Sequence, residues 1–452
     1  TGERRWLFEV IPPPGAFGSE TWPTDSDVWR WGGGGVWMTP TVDVELGMFF
    51  VGTGNAVPMW GGELRPGDNL FTASVVALDL YTGEYKWHQQ LVHHEMWEHD
   101  LATPLIVYDA TVEGDTRKAV AAMRTDGYLF MLDAETGEPI YPIEEREVPQ
   151  NDFLNTSLTQ PFPVGADKIG PYCVDPAMIP EGFEAGCYYD PIGPDQPNVF
   201  IPYMNMRFAP MSYSPVTEYF YGTSCVYPRW IKRPENPWFF SSTAVRAPGL
   251  RQYGLHVAID SRTNRIAWQH RVPYSDCNGS GAMTTASGLM FHTDADGNFG
   301  AFDQRTGERL WQFQTGQIGV PGSNGLGGGP VVTYEVAGEQ YLALTMNRLV
   351  WAFKLDGTVP PRAAPERPIT VLPFQGPIVD TDTIELKRVI VQDNQNMQWR
   401  DEWHDEYGLT PTRASVTSGT RVTWTNPTEL THTIAARDGS WTTGPIAPGD
   451  SD

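Results

Sequence analysis

The sequence predicts an all-β chain assembled from repeated antiparallel sheets, and three observations lead there. The first is composition. The chain has 452 residues, with Gly 46 and Pro 39 to supply turns, and charged residues make up only 19 %. Long helices with polar faces need more Lys and Glu than that. The second is an internal repeat. ALDLYTGEYKW starts at Ala77, MLDAETGEPIY at Met131, AIDSRTNRIAW at Ala258 and AFDQRTGERLW at Ala301, with TGERRW at Thr1 and a degenerate AFKLDGT at Ala352. Each copy reads as a short apolar strand, a turn at Thr-Gly or Thr-Asn, and a returning strand, most often ending in Trp. The third is that helical 3.6-residue periodicity is scarce throughout. A Trp at a fixed offset fits a ring docked between neighbouring sheets, which is the packing of a β-propeller.

The elements follow in order. Asp before the turn and Gly within it suit tight hairpins. The turn positions Gly2, Gly83, Gly137, Asn264 and Gly307 are separated by 81, 54, 127 and 43 residues. A four-stranded blade needs roughly 40 to 45 residues. The short step is one blade; the long steps are two or more blades, or blades with large loop insertions. About six blades result, the first already under way at Thr1. Further strand pairs are PTVDVELGMFFVGTGN, SYSPVTEYFYGTS and TTASGLMFHTDADGNFGAFD. The expected propeller covers residues 1–357. A Pro-rich linker, containing VPPRAAPERPITVLPFQGP, covers 358–386. From 387 to 452, apolar and polar residues alternate as in a β-sandwich.

Charge and cysteines bound the function. The net charge of −24 argues against general electrostatic binding of nucleic acid or of anionic membranes. No apolar run reaches about 18 residues, so no membrane-spanning helix is expected. The four cysteines form no CxxC pair. Cys173 and Cys187 bracket one Pro/Gly-rich loop and are the expected disulfide, which implies an oxidising compartment. The glycine run GSNGLGGG at Gly322 lacks a following Lys-Ser/Thr and fails the phosphate-loop patterns.

Several segments occur in a specific order: TGERRWLFEVIPPPG, GGGGVWMTP, GTGN, RPGDNLFTASVVALDLYTGEYKW, HHEMWEHD, MRTDGYLFMLDAETGE, APMSYSP and TTASGLMFHTDADGNFGAFDQRTGERLWQFQTG. This series resembles the quinoprotein alcohol dehydrogenases. That resemblance implies an eight-bladed-type propeller with pyrroloquinoline quinone (PQQ) and a metal ion in its central channel. The family's first blades have no counterpart here, so a missing N-terminal region or a partner chain is expected to close the ring. Where the family has Asn-Trp before PM.YSP this chain has Arg207-Phe208. Where the family has Trp-Gly-Gly it has Gly279-Ser280-Gly281.

The resemblance carries site residues with it. Trp37 matches the tryptophan on which the quinone stacks; a flat, electron-poor ring suits an indole face. The competing reading is a blade-docking Trp. The glycines Gly32–Gly35 before it would let backbone approach a ligand. Asn55, 18 residues after Trp37, matches the metal-ligand Asn; an amide oxygen is a hard donor for calcium or a lanthanide. In HHEMWEHD, Glu98 occupies the place of the family's catalytic aspartate. Asp100 occupies the place where lanthanide-dependent members add a ligand. Either could be the base, and both are candidate ligands. A zinc-protease HExxH is not formed, because Glu98 stands where the second His should be. Arg124 matches a motif Arg or Lys that contacts the quinone oxygens with its forked donors.

The last segment, with VTSGTRVTWTNPTELTHTI and GSWTTGPIAPGD, resembles the cupredoxins, as a partial, truncated domain. His432 matches their first copper ligand; the Cys, second His and Met would lie beyond Asp452.

The function these resemblances imply is oxidation of a small alcohol with PQQ plus calcium or a lanthanide, in the periplasm or another extracytoplasmic space. Electrons would pass to a cytochrome c or blue-copper acceptor, and a homo-oligomer is compatible with the sequence. The alternative is a catalytically impaired propeller serving as a binding or assembly module, motivated by Glu98 and the two altered pocket segments.

Overall fold

The computed structural model describes residues 2–112, 114–176, 179, 183–193, 199–203, 206, 209–232, 243–245, 253–272, 281–294, 297–317, 328–346, 349–364, 379–391, 404–410, 414–428, 430–436 and 440–452. Arg207, Phe208, Cys277, Gly279, Ser280 and most of the Gly322 run lie outside the described residues. Strands follow the repeat. The first sheet is β1 (Thr41–Asp43), β2 (Met48–Gly52), β3 (Ser74–Asp79) and β4 (Tyr85–Gln90), antiparallel in chain order. The second is β5 (Ile106–Val112), β6 (Asp115–Met123) and β7 (Leu129–Asp133), followed by a hairpin of β8 (Ile143–Glu147) and β9 (Thr159–Pro163). Strands β10 (Glu184–Ala185) and β11 (Val199–Tyr203) lead into a wider sheet. Its members are those two with β12 (Ser212–Ser214), β13 (Tyr219–Lys232), β14 (Thr243–Val245), β15 (Tyr253–Asp260) and β16 (Arg265–Val272). Next come β17 (Met283–Thr284), β18 (Leu289–Thr293), β19 (Asn298–Asp303) and β20 (Arg309–Gln314), then β21 (Val332–Val336), β22 (Glu339–Met346) and β23 (Leu349–Phe353).

The core lies between successive sheets. Phe50 and Val75 pack with Phe130 and Leu132. Ala121 and Met131 pack with Phe220 and Val257. Tyr221 and Ala258 pack with Met290 and Phe302, and Phe291 and Phe299 with Leu344 and Met346. Each sheet thus buries one face on the sheet before it and one on the sheet after, as propeller blades do.

The repeat residues explain this order. In each hairpin the Asp carboxylate caps the turn: Asp79 Oδ1 accepts the amides of Tyr81 and Thr82, Asp133 Oδ1 those of Glu135 and Thr136, and Asp303 Oδ1 those of Arg305 and Thr306. The turn glycine is left-handed, with φ of 71° at Gly83, 78° at Gly137 and 71° at Gly307. The Trp of one copy lies on the turn of the next. The Trp6, Trp87 and Trp268 indoles donate to the carbonyls of Leu80 (3.3 Å), Ala134 (3.1 Å) and Gln304 (2.9 Å). Any Cβ on Gly83, Gly137 or Gly307 would stand 2.5–2.7 Å from those same indoles. The third copy has Tyr141 in place of Trp, and its hydroxyl donates to Ser261 O at 2.8 Å in the fourth copy's turn. The two long steps, before Gly83 and before Asn264, are each crossed by one such ring-to-turn contact. The extra length between Asp133 and Asp260 is insertion.

That insertion contains the Cys173–Cys187 disulfide, the pairing the loop sequence predicts. Cys225 is disulfide-bonded as well. At the C-terminal end, β24 (Val379–Asp380) pairs in parallel with a later strand, β27 (Ala414–Ser415). Strand β25 (Thr383–Val391) lies between β26 (His404–Thr410), antiparallel, and β28 (Thr423–Thr425), parallel. Strand structure thus starts inside the span expected as linker, because the Pro-rich composition ends at Pro377 and the alternating TIELKRVIV begins at Thr383. Among the described residues, no helix is long and apolar enough to cross a membrane.

Removing a docked ring should uncouple two sheets. Trp268→Ala is expected to cost about 3–5 kcal/mol in urea unfolding. Gly307→Ala should also destabilise, because its Cβ meets Trp268 and its backbone is left-handed. A loss below about 0.5 kcal/mol for both would exclude docking as the organising contact.

Candidate functional site

The site is assembled by backbone pairing. Gly33 and Ala56 form a bridge; Gly34 N donates to Asn55 O at 2.9 Å and Gly54 N to Gly35 O at 3.0 Å. A Cβ on Gly33 would stand 2.6 Å from Asn55 O. Gly33 is therefore needed for the approach of the 53–57 segment. This pairing sets Trp37 beside GTGN. From the other side Asp100 Oδ1 accepts the Asn55 amide at 2.6 Å. A Cβ on Gly54 would lie 2.8 Å from Asp100 Oδ1 and 3.2 Å from Trp37 Nε1. Trp37, Asn55 and Asp100 thus converge around Gly54. The Trp37 ring is exposed to 41 %, unlike the docked Trp87 and Trp268. Asn55 Nδ2 donates to Ala56 O, which leaves its amide oxygen as the ligand-type atom.

Glu98 is buried and left-handed, with φ 64°. A non-glycine residue holds that conformation only when its surroundings impose it. Here the imposing group is Glu95, whose significance the sequence reading missed. Its Oε1 accepts the amides of Trp97 (2.6 Å) and His99 (2.7 Å), on either side of Glu98. The fully buried Arg65 donates to the carbonyls of Glu95 (2.6 Å) and Pro58 (3.0 Å) and to Asn69 Oδ1 (2.6 Å), clamping the loop from behind. Burial pushes the Glu95 carboxyl up to about 7; Asp100 adds to the rise, while the His99 and Trp97 amides and Arg65 offset part of it. Thr125 Oγ1 fixes the other end by donating to Asp100 O.

Arg124 is placed differently from the expectation. Its Nε and Nη2 grip Asp126 at 2.9 and 3.0 Å, and Nη1 donates to Leu91 O and Pro161 O. Its guanidinium is enclosed by the rings of Tyr128, Phe130, Phe162 and Tyr189. The fork that the resemblance assigns to a quinone is committed to Asp126. Burial opposes both charges, yet each holds the other ionised: Asp126 stays below the usual carboxylate value and Arg124 above its own. Tyr189 also donates to Asp126 and meets Trp97 edge-on at 5.1 Å, so the pair supports the aromatic wall behind Glu98. His432 is remote in sequence from these residues. Its Nε2 lies 2.8 Å from the Thr428 hydroxyl, and among the described residues no cluster of three His, Cys, Asp or Glu forms around it.

The donor types at the front of the site, an amide oxygen at Asn55 and a carboxylate at Asp100 with the exposed Trp37 beside them, suit a hard cation. Breaking the buried ion pair behind it should be costly. Asp126→Asn is expected to lose about 3–5 kcal/mol of stability in denaturant unfolding. For Glu95, the unfolded chain releases the proton from about 4.5 upward and the folded chain only near 7. Stability from the neutral acid is therefore present below 4.5 and lost as pH rises through 7. Glu95→Gln, neutral throughout, should gain Tm relative to the native chain between about pH 5 and about pH 8. Parallel pH profiles would exclude a buried neutral Glu95.

Comparison with known proteins gives the same direction. Residues 1–175 match the PQQ family described as "Glucose/ethanol/alcohol dehydrogenase, beta-propeller domain", and residues 239–364 match "Outer membrane protein assembly factor BamB". A quinohemoprotein alcohol dehydrogenase of Comamonas testosteroni is 32 % identical over 77 % of this chain and 48 % of its own length. The quinoprotein alcohol dehydrogenase PedH of Pseudomonas putida is 31 % identical over 73 % of this chain and 52 % of its own. The solved quinohemoprotein alcohol dehydrogenase ADHIIG of Pseudomonas putida HK5 superposes with a TM-score of 0.59 at 24 % identity. That match covers 84 % of this chain and 58 % of that one. The chain spans about half the length of the curated relatives it matches. The propeller portion of this chain belongs to the PQQ-type family of glucose, ethanol and alcohol dehydrogenases.

Proposed function

We propose that the chain forms the quinone- and metal-holding part of a PQQ-dependent alcohol dehydrogenase. The observation that carries this is the convergence of an exposed Trp37 with Asn55 and Asp100 around Gly54. The Trp37 face would carry the quinone ring. Asn55 Oδ1 and the carboxylates of Asp100 and Glu98 would hold calcium or a lanthanide ion, and a trivalent ion is favoured by the second carboxylate. Bound there, PQQ and the ion supply a polarised carbonyl that accepts two electrons. The chain's own part is to orient the alcohol and take its proton. Glu98 and Asp100 are the two candidate bases, held by Glu95 and Thr125 at fixed positions. Arg124 acts as a positioning residue through Asp126 and Tyr189.

The remaining assignments belong to the same reading: a propeller over 1–357, a cupredoxin-like segment over 387–452 joined by 358–386, and an extracytoplasmic site of action. The Cys173–Cys187 disulfide supports the last. A cytochrome c or blue-copper protein would receive the electrons. His432 would serve copper only with ligands from elsewhere. The closed fork of Arg124 favours one second reading, a propeller of this family that binds or assembles without turnover.

Purified protein incubated with PQQ and either calcium or a lanthanide separates the two readings. Catalysis requires bound quinone absorbance and alcohol-dependent dye reduction. Trp37→Ala should lose the quinone, and Asp100→Asn should lower kcat by about 10²-fold or more. Absence of both quinone and dye reduction with every ion would leave the binding module.

A further inference from the structure

A second cluster of ligating side chains lies away from Trp37 and Asp100, between two other sheets. His256 sits on β15, His292 on β18, and Asp294 directly follows β18. All three are buried, and one ligand-type atom from each lies within 4.8 Å of the others. The strands belong to adjacent sheets, so the cluster spans the interface between them.

The geometry is specific. His256 Nε2 and His292 Nε2 each lie 3.7 Å from Asp294 Oδ1. That exceeds hydrogen-bond length. It is near the roughly 3.4 Å separation of ligand atoms that a tetrahedral ion with bonds of about 2.0–2.2 Å imposes. His292 Nδ1 stands 2.7 Å from Gly281 O. A carbonyl only accepts, so Nδ1 carries the proton, and in the neutral ring the Nε2 lone pair is then the one on the side of Asp294. This is the arrangement by which an outer carbonyl fixes the tautomer of a metal-ligating histidine. The imidazole rings meet edge-on at 4.8 Å, and Phe302 closes over His256 at 5.3 Å, so the nitrogens are held in place. One nitrogen from each imidazole and one carboxylate oxygen thus face a common buried point.

We propose that His256, His292 and Asp294 form an inter-sheet site for a borderline divalent ion of the zinc class. Two imidazoles and one carboxylate suit zinc, whereas calcium takes an all-oxygen shell. The ion joins β15 of one sheet to β18 of the next, and it shares no residue with the Trp37 site.

The test is direct. The purified chain, stripped with chelator, is titrated with zinc by calorimetry and with cobalt(II) by visible absorption. One equivalent of zinc is expected, with tetrahedral cobalt bands and a higher Tm in zinc. Asp294→Asn, nearly isosteric, and His256→Gln should each weaken zinc at least about tenfold and abolish the cobalt bands. His270→Gln, on the neighbouring strand and outside the triad, should keep both. Circular dichroism confirms that each variant is folded. A folded native chain that takes up no stoichiometric zinc or cobalt overturns the site, as does uptake that survives both triad variants. PQQ loading enters none of these readings, so failure here leaves the dehydrogenase proposal standing.

Discussion

The order of the sheets in the propeller portion depends on one recurring contact, an aromatic ring at the end of one repeat lying on the hairpin turn of the next. The contact combines apolar burial with an indole-to-carbonyl hydrogen bond, and the glycine beneath it leaves no room for a side chain. Trp6, Trp87 and Trp268 make it, and Tyr141 makes a longer-reaching version through its hydroxyl. The Asp that caps each turn holds the receiving carbonyl in place. Local turn chemistry and long-range sheet order are therefore the same interaction seen at two scales.

The candidate site occupies a different kind of environment. Around the candidate site lies a layer of fully buried ionisable groups: Arg65, Glu95, Arg124 and Asp126. Buried charge is unfavourable unless paired, and here every member is gripped by a partner or by backbone. What this layer secures is shape, above all the left-handed backbone at Glu98.

Much of the fold was legible in the sequence, because the repeat places Asp, Gly and Trp at fixed offsets and each has one physical task. Cys173 and Cys187 were legible from their loop. Trp37, Asn55 and Asp100 were found by resemblance, and the structure brings them together around Gly54. Less was legible where a residue's partner is distant. Nothing local marks Glu95 as a loop clamp, since its role appears only when Arg65 and the Trp97 and His99 amides surround it. The commitment of Arg124 to Asp126 could have been suspected, because the two are only two residues apart in MRTDG. His256, His292 and Asp294 belong to two different sheets, and no single motif joins them. Within the Gly32–Gly35 run, the close neighbour of Gly33 is the chain itself, which no local motif announces.

The contact from Tyr141 to Ser261 has an architectural consequence. Sheets that touch only their neighbours form a nearly one-dimensional stack, in which coupling passes through successive interfaces. Between Tyr141 and Ser261 that coupling bypasses the covalent chain altogether. The long excursion with its disulfide is thus a side branch off the stack. It is a place where sequence can be lengthened or exchanged while the order of the sheets is kept by the Tyr141 phenol and the core packed between the two sheets.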